Sequence, residues 1–308
     1  MRVTQAGFYN QATQQMGKQQ AKVFDTQAQL SSGKKLLRPS DDPALAAALN
    51  NLKSQMDVNQ RYLTNLERMQ DTLSMQETSL SSSVELVARI KELSLQAANG
   101  TYNAQDRQNV AVEVQELIST LVDLGNLRGA DGAYLFSGFS QNKAPFTQSA
   151  DGMVAYTGTL DYQNALVDEG RLMEIGMPGS DVFGSALHLD ETTGTSNSIE
   201  VFATLGAMHQ ALMENDVEAI ADKLDKISSV HNHIITQQAK IGSRMQRVDT
   251  LTQVIEDRNF TYQALQSSME DLDYVEAASR FKNQSLALQA GQQTFAQLSG
   301  LSLFEYIR

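Results

Sequence analysis

The 308-residue chain has no cysteine and no tryptophan, only 4 prolines, and 6% aromatic residues. Without thiols there is no disulfide framework and no thiolate metal centre. The four prolines, at 39, 43, 145 and 178, leave long stretches in which nothing forces a helix to break. No apolar run approaches the roughly 20 residues that a bilayer-crossing helix needs. Residues 283–304 carry no charge, but Asn283, Gln284, Gln289, Gln292, Gln293 and Gln297 make them too polar for lipid. Residues 3–17 lack the apolar core of a secretory signal. The HExxH, GxxxxGK[ST], GxSxG and GxGxxG motifs are absent. His231-Asn232-His233 has the letters of a metal motif, yet on a helix residues two apart point about 200° apart, so one ion cannot take both rings. The Asp41–Asp42 pair is better read as a helix cap than as a catalytic dyad. No enzyme activity, cofactor or metal is therefore expected, and a net charge of −12 argues against nucleic acid as a partner. The charge is uneven: Arg2, Lys18, Lys22, Lys34, Lys35 and Arg38 face only Asp25 in the first 38 residues. That basic arm is either a solvated tail or a surface for acidic neighbours or for export.

The chain does have heptads. Ile220, Ile227, Ile234, Ile241, Val248, Ile255, Tyr262 and Met269 recur every seventh residue, with no proline between them. A repeat held this long predicts one helix with a single stripe against a partner. Over 217–281 it would be roughly 95 Å long, too long for a globule whose radius of gyration would be about 19 Å. A second pattern runs from Pro43 to Ala98 through Leu45, Leu52, Asn59, Leu66, Leu73, Leu80 and Val87. Asp42 is its expected cap, Pro43 its first residue, and Asn99–Gly100 its stop. A third helix, capped by Asn103 with Asp106, carries Val110, Val114, Leu117, Leu121 and Leu124. The expectation is an antiparallel bundle of 43–98, 104–127 and 217–275. Its seam comprises Leu52, Leu66, Leu73, Val114, Leu121, Ile227, Ile234, Ile241, Val248 and Ile255.

Composition changes at Gly129, and 11 of the 19 glycines fall between 125 and 194. Short alternating runs at Ala133–Phe139, Met153–Thr157, Asn164–Val167 and Arg171–Met177 predict strands. Asp151–Gly152, Glu169–Gly170 and Pro178–Gly179 predict the turns between them. Asp190–Asn197 is a polar link to a helix over 198–213, broken at Asn215–Asp216, where Asp216 is the expected cap of the helix that begins at Val217. The two ends resemble each other, with few charges, many glutamines and apolar residues at helical spacing. They supply a candidate assembly interface of Phe8, Met16, Val23, Leu30, Phe281, Leu288, Phe295, Leu298, Leu301, Leu303 and Phe304. The fold class is mainly α: a long antiparallel coiled-coil rod with paired terminal helices and a small inserted β domain. The division is 1–42 with 276–308 for the terminal helices, 43–131 with 196–275 for the rod, and 132–195 for the β-rich part.

LSSGKKLLRPSDDPA (30–44), LQAANGTYNAQDRQNVAVEVQEL (95–117), GAYLFSG (132–138) and LSLFEYIR (301–308) resemble the bacterial flagellin superfamily. The Pro39-Ser40-Asp41-Asp42-Pro43 and Leu-Ser-Leu-Phe segments are most similar to its hook–filament junction branch. The resemblance implies terminal helices that order on assembly in an inner layer, a rod around them, and a β insert facing outward. It implies a secreted structural subunit of the flagellum, exported through the type III apparatus with help from an export chaperone. It implies homo-oligomeric contacts, plus contacts with the first hook-associated protein and with flagellin. Some flagellins are sensed by an innate immune receptor, and Arg89, Leu93 and Glu113 match that patch by position. A flagellin proper, or a coiled-coil regulatory or adhesive protein that never assembles, remain the alternatives.

Overall fold

Heptad spacing, sparse proline and side-chain caps at the ends account for the helices of the computed structural model. It describes residues 2–149, 152–189 and 196–306, with the side chains of residues 2–6, 8 and 298–306 outside that description. The element order is α1 (Arg2–Ser32), α2 (Pro43–Ala97), α3 (Ala104–Gly125), β1 (Phe146–Gln148), β2 (Val154–Tyr156), β3 (Asn164–Asp168), β4 (Arg171–Glu174), α4 (Gly179–Phe183), β5 (Ser185–Leu189), β6 (Ser196–Glu200), α5 (Val201–Met213), α6 (Val217–Glu270) and α7 (Tyr274–Tyr306). At 54 residues, α6 is roughly 80 Å long. The chain divides into two units, one of residues 1–58 with 257–308, the other of residues 59–256.

The caps are where the sequence places them. Asp42 Oδ1 accepts from the Ala44 and Leu45 amides at 3.1 and 3.0 Å. Asn103 and Asp106 form a reciprocal capping box at the start of α3. Asp216 Oδ1 takes the Ala219 amide at 3.0 Å. Each bond satisfies an amide that the first helical turn leaves without a partner.

The 59–256 unit is built on apolar stripes. Ile220, Ile227, Ile234, Ile241 and Ile255 of α6 are fully buried, as are Leu66, Leu73, Leu80 and Val87 of α2. Gln238 of α6 donates to Glu77 of α2 at 3.0 Å, and Arg89 of α2 pairs with Glu113 of α3 at 2.9 Å. The expected three-helix set needs one addition, because α5 also packs on α3, burying Val201, Phe202, Leu205, Met208 and Leu212. On α3 the buried apolar side chains are Ala111, Val114, Ile118, Leu121 and Val122; Val110, Leu117 and Leu124 are only half-buried. A helix covered on two sides buries a wider face than the narrow stripe of a two-helix seam.

The β-rich part is three separate antiparallel hairpins, β1–β2, β3–β4 and β5–β6. The β3–β4 turn is Glu169–Gly170, with Gly170 at φ +67°. Several expectations need correction here. Ala133–Phe139 is not a strand but a loop with a single bridge, Arg128 to Tyr134. Arg171–Met177 is a strand only to Glu174, and Pro178–Gly179 opens α4 instead of turning between strands. Residues 196–200 are strand, so the helix expected over 198–213 begins at Val201. Most of the polar link, 190–195, lies outside the described residues, as does Asp151. The hairpins meet the helices through an aromatic core that short-range periodicity cannot show. The Phe146 ring centroid lies 5.2–5.5 Å from those of Tyr156, Phe183 and Phe202, tilted against Tyr156 and Phe202 and edge-on to Phe183, and Phe136 also meets Phe183 edge-on. A Cβ at Gly125 would sit 2.7 Å from the Phe146 ring, so a glycine at the end of α3 is what admits it.

Candidate assembly surfaces

In the unit of residues 1–58 and 257–308, α1 and α7 run antiparallel. Gln19 Nε2 donates to the Gln284 carbonyl at 3.3 Å, Thr26 Oγ1 to Gln284 Oε1 at 2.8 Å, and Tyr9 meets Phe295 edge-on at 5.8 Å. Met16, Val23, Leu30, Phe281, Leu288 and Phe295 are all half-buried along this pair. Between the helices lies a groove of about 400 Å³ lined by Ala12, Gln15, Met16, Gln19, Ala287, Leu288, Gly291, Thr294 and Phe295. The side chains of Phe8, Leu298, Leu301, Leu303 and Phe304 lie outside the described residues.

Helix α6 does not run on to residue 275. It stops at Glu270, and α7 starts anew at Tyr274, with Asp273 Oδ1 capping the Val275 and Glu276 amides. The break lies beside the α1–α2 connector. The Lys35 amide donates to the Glu270 carbonyl at 2.8 Å and the Leu272 amide to the Gly33 carbonyl at 2.9 Å, closing a bridge between Lys34 and Asp271. Gly33 takes φ +70°, and a Cβ there would lie 2.7 Å from the Tyr274 hydroxyl. Glu270 is buried under this bridge, 2.6 Å from Lys34 Nζ and 3.5 Å from Lys53 Nζ, with Gln266 donating at 2.8 Å. The Lys34 hydrogen bond is the main reason its carboxyl is held down at about 2. A heptad register cannot reveal the break, because hydrogen bonds to a distant connector end the helix.

In the 59–256 unit the seam residues Leu66, Leu73, Val114, Leu121, Ile227, Ile234, Ile241, Val248 and Ile255 are buried at 0–1% exposure; Leu52 of the other unit is 6% exposed. A polar hub attaches the hairpins to the helices. Buried Gln76 donates to the Leu135 and Met177 carbonyls at 2.7 and 3.0 Å and accepts the Met177 amide at 3.0 Å. Arg244 donates to the Gly176 carbonyl at 3.0 Å, pairs with Glu174, and lies over the Tyr162 ring at 5.2 Å. The Tyr162 hydroxyl, hydrogen-bonded to Asp181, is pushed up to about 12, chiefly by burial and then by that carboxylate. His233 Nε2 donates to the Asp181 carbonyl at 2.8 Å, while His231 is half-buried and lowered by burial and by Lys91. Sequence reasoning missed Gln76 and Arg244. Gln76 lies three residues after Leu73 on the buried face of α2, and a polar residue there is the signal that could have found it. No group of three or more potential metal ligands occurs among the described residues, and none of their helices is long and apolar enough to cross a membrane. Arg89 is engaged by Glu92 and Glu113, and Leu93 is 4% exposed.

What the chain offers is therefore long helices, an apolar groove at the paired ends, and hairpins pinned to the side. The family model of the bacterial flagellin N-terminal helical region matches residues 3–141, and that of the C-terminal helical region matches residues 224–307. The chain belongs to the bacterial flagellin superfamily. Among flagellin-family relatives it is 28% identical to flagellar hook-associated protein 3 of Salmonella typhimurium over 320 residues, spanning all of both chains. It is also 28% identical to the Escherichia coli protein of that name over 317 residues, 99% of each chain. A crystal structure of flagellar hook-associated protein 3 from Legionella pneumophila has a similar fold. It superposes with a TM-score of 0.63 at 17% identity, covering 71% of this chain and 98% of that one. The two family models take in α1–α3 and nearly all of α6 and α7, the helices that the heptads mark out.

Proposed function

We propose that this flagellin-family chain is a structural subunit of the bacterial flagellum that forms the layer joining the hook end to the filament. The end-to-end match to two hook-associated proteins 3 carries this reading, since a shared helical core alone would fit any flagellin. The physical design is consistent with it: buried side chains serve packing, and hydrogen bonds join elements to one another.

In this role α1 and α7 form the inner layer, and their half-buried Met16, Val23, Leu30, Phe281, Leu288 and Phe295 meet neighbouring copies. Phe8, Leu298, Leu301, Leu303 and Phe304 extend that surface. The α2–α3–α6 helices form the next layer, with the 132–195 region outside it. The seam residues hold the helices together and do not face partners. One side of the layer fits the first hook-associated protein and the other templates flagellin. The chain leaves the cell through the type III export channel, its carboxyl-terminal helix held by a chaperone beforehand.

Deleting the gene, imaging the cells and assaying the medium for flagellin tests the reading. Hooks without filaments, with flagellin shed into the medium, are expected. Normal filaments would overturn it, and loss of both filament and shed flagellin would point to a flagellin or an export component.

A further inference from the structure

The turn between α2 and α3 contains Asn99 and Gly100, the one Asn-Gly pair in the chain. Both residues are exposed. A Cβ at Gly100 would meet no atom within 4 Å, so the turn is open on that side. Among the described residues, the amides of this turn that donate to backbone carbonyls are those of Ala98, Asn99 and Tyr102, Thr101 donates to a side chain, and Gly100 is not among the donors. Asn99 Oδ1 accepts both the Thr101 amide at 3.1 Å and the Thr101 hydroxyl at 3.2 Å. An unbonded nucleophile thus follows a carbonyl whose oxygen is already held by two donors, the arrangement that stabilises charge developing on that oxygen.

We propose that Asn99–Gly100 is a self-modification site at which the chain converts Asn99 to an isoaspartyl linkage that pairs with Arg107. The Gly100 nitrogen attacks Asn99 Cγ. The Cγ–Nδ2 bond breaks, and ammonia leaves with the proton that Gly100 gives up. A cyclic imide remains, with Gly100 N bonded to both Asn99 Cγ and the Asn99 main-chain carbon. One water then opens the ring. Opening at Cγ yields aspartate in the normal chain, and opening at the main-chain carbon yields isoaspartate with a free α-carboxylate. No oxidant or cofactor is needed: one water enters and one ammonia leaves.

Arg107 chooses between the two products. Its guanidinium is buried and bound only to neutral oxygens: Nε to the Ala97 carbonyl at 2.8 Å, Nη1 to Asn215 Oδ1 at 2.6 Å, and Nη2 to the Asn99 carbonyl at 3.1 Å. Opening at the main-chain carbon puts negative charge on the oxygen that Nη2 already touches and leaves a carboxylate there. A buried cation with neutral acceptors is the partner that gains most from such a charge-assisted bond. Opening at Cγ puts the charge on the Thr101 side instead.

Full-length protein held at mildly alkaline pH in oxygen-labelled water, folded or unfolded in urea, tests this by peptide mass mapping and enzymatic isoaspartate labelling. The folded chain is expected to convert at Asn99, with an isoaspartyl-to-aspartyl ratio roughly tenfold above that of the unfolded chain, the worth of one charge-assisted bond. Arg107→Lys should bring the ratio back toward the unfolded value, and Asn99→Ser should abolish conversion. An intact Asn99 in folded protein while the unfolded chain converts, or equal ratios in the two states, would overturn the proposal. If Arg107→Lys does not fold, the folded-versus-urea comparison on the unsubstituted chain still decides.

Discussion

Glu270 is a carboxylate that is nearly dry and yet satisfied, with Lys34, Lys53 and Gln266 on its two oxygens. Its folded value of about 2 lies below its ordinary 4.5, so it contributes stability that is present above pH 4.5 and lost as the pH falls through about 2. Glu270→Gln should therefore lower the melting temperature at neutral pH by an amount equivalent to about 1–2 kcal/mol. It should also flatten the acid limb of the stability curve; an unchanged acid limb would show that the Lys34 contact does not form in solution. Ile234 makes the opposite kind of contribution. It is fully buried and apolar, and Ile234→Asp loses its packing and buries a carboxyl with no partner. A cost on the order of 3–5 kcal/mol is expected, read as a lower thermal midpoint by circular dichroism. A midpoint equal to that of the unsubstituted chain would mean that this stripe does not face another helix.

Among the elements, the helices and the hairpins are held by different means. The long helices are held by apolar stripes of the kind a heptad reveals. The hairpin region is held by an aromatic core around Phe146 that no heptad shows, and by a few polar bonds, of which those of Gln76 reach both the 129–141 loop and Met177. Gln76→Ala would leave the Leu135 and Met177 groups without their partner, at about 1–3 kcal/mol for each buried group. Hydrogen exchange should show faster opening of residues 133–137 and 175–179, while α6 amides near Ile241 stay protected. Uniform acceleration across both regions would mean that the hairpins and helices unfold as one. The three hairpins are short and two-stranded, and such pairs are marginal without a surface to pack on. Their dependence on Phe146, Phe183 and Gln76 follows from that.

For the whole chain, the proposal assigns separate tasks to the ends and the middle. Removing residues 281–308 takes away most of α7 and half of the groove, but none of the buried stripe of α2, α3 and α6. Such a chain should keep the helicity of residues 43–270 and fail to enter flagella, as read by circular dichroism and by blotting of sheared flagella. A large loss of that helicity would show that the long helices need α7 in order to fold.

The sequence by itself determined the long helices, their caps at Asp42, Asn103 and Asp216, the stripes of Leu and Ile, and the family. Each of these rests on local spacing or on a side chain bonding within three residues of itself, and a linear chain displays both. Only the tertiary structure decided that α6 ends at Glu270, because the Gly33–Lys35 backbone that pairs with it lies more than 230 residues away in sequence. Only the tertiary structure brought Phe136, Phe146, Phe183 and Phe202 into one core, placed Ser198–Glu200 in a strand instead of a helix, and gave Gln76 its role. Those features depend on contacts between residues far apart in the chain, and periodicity carries no record of them.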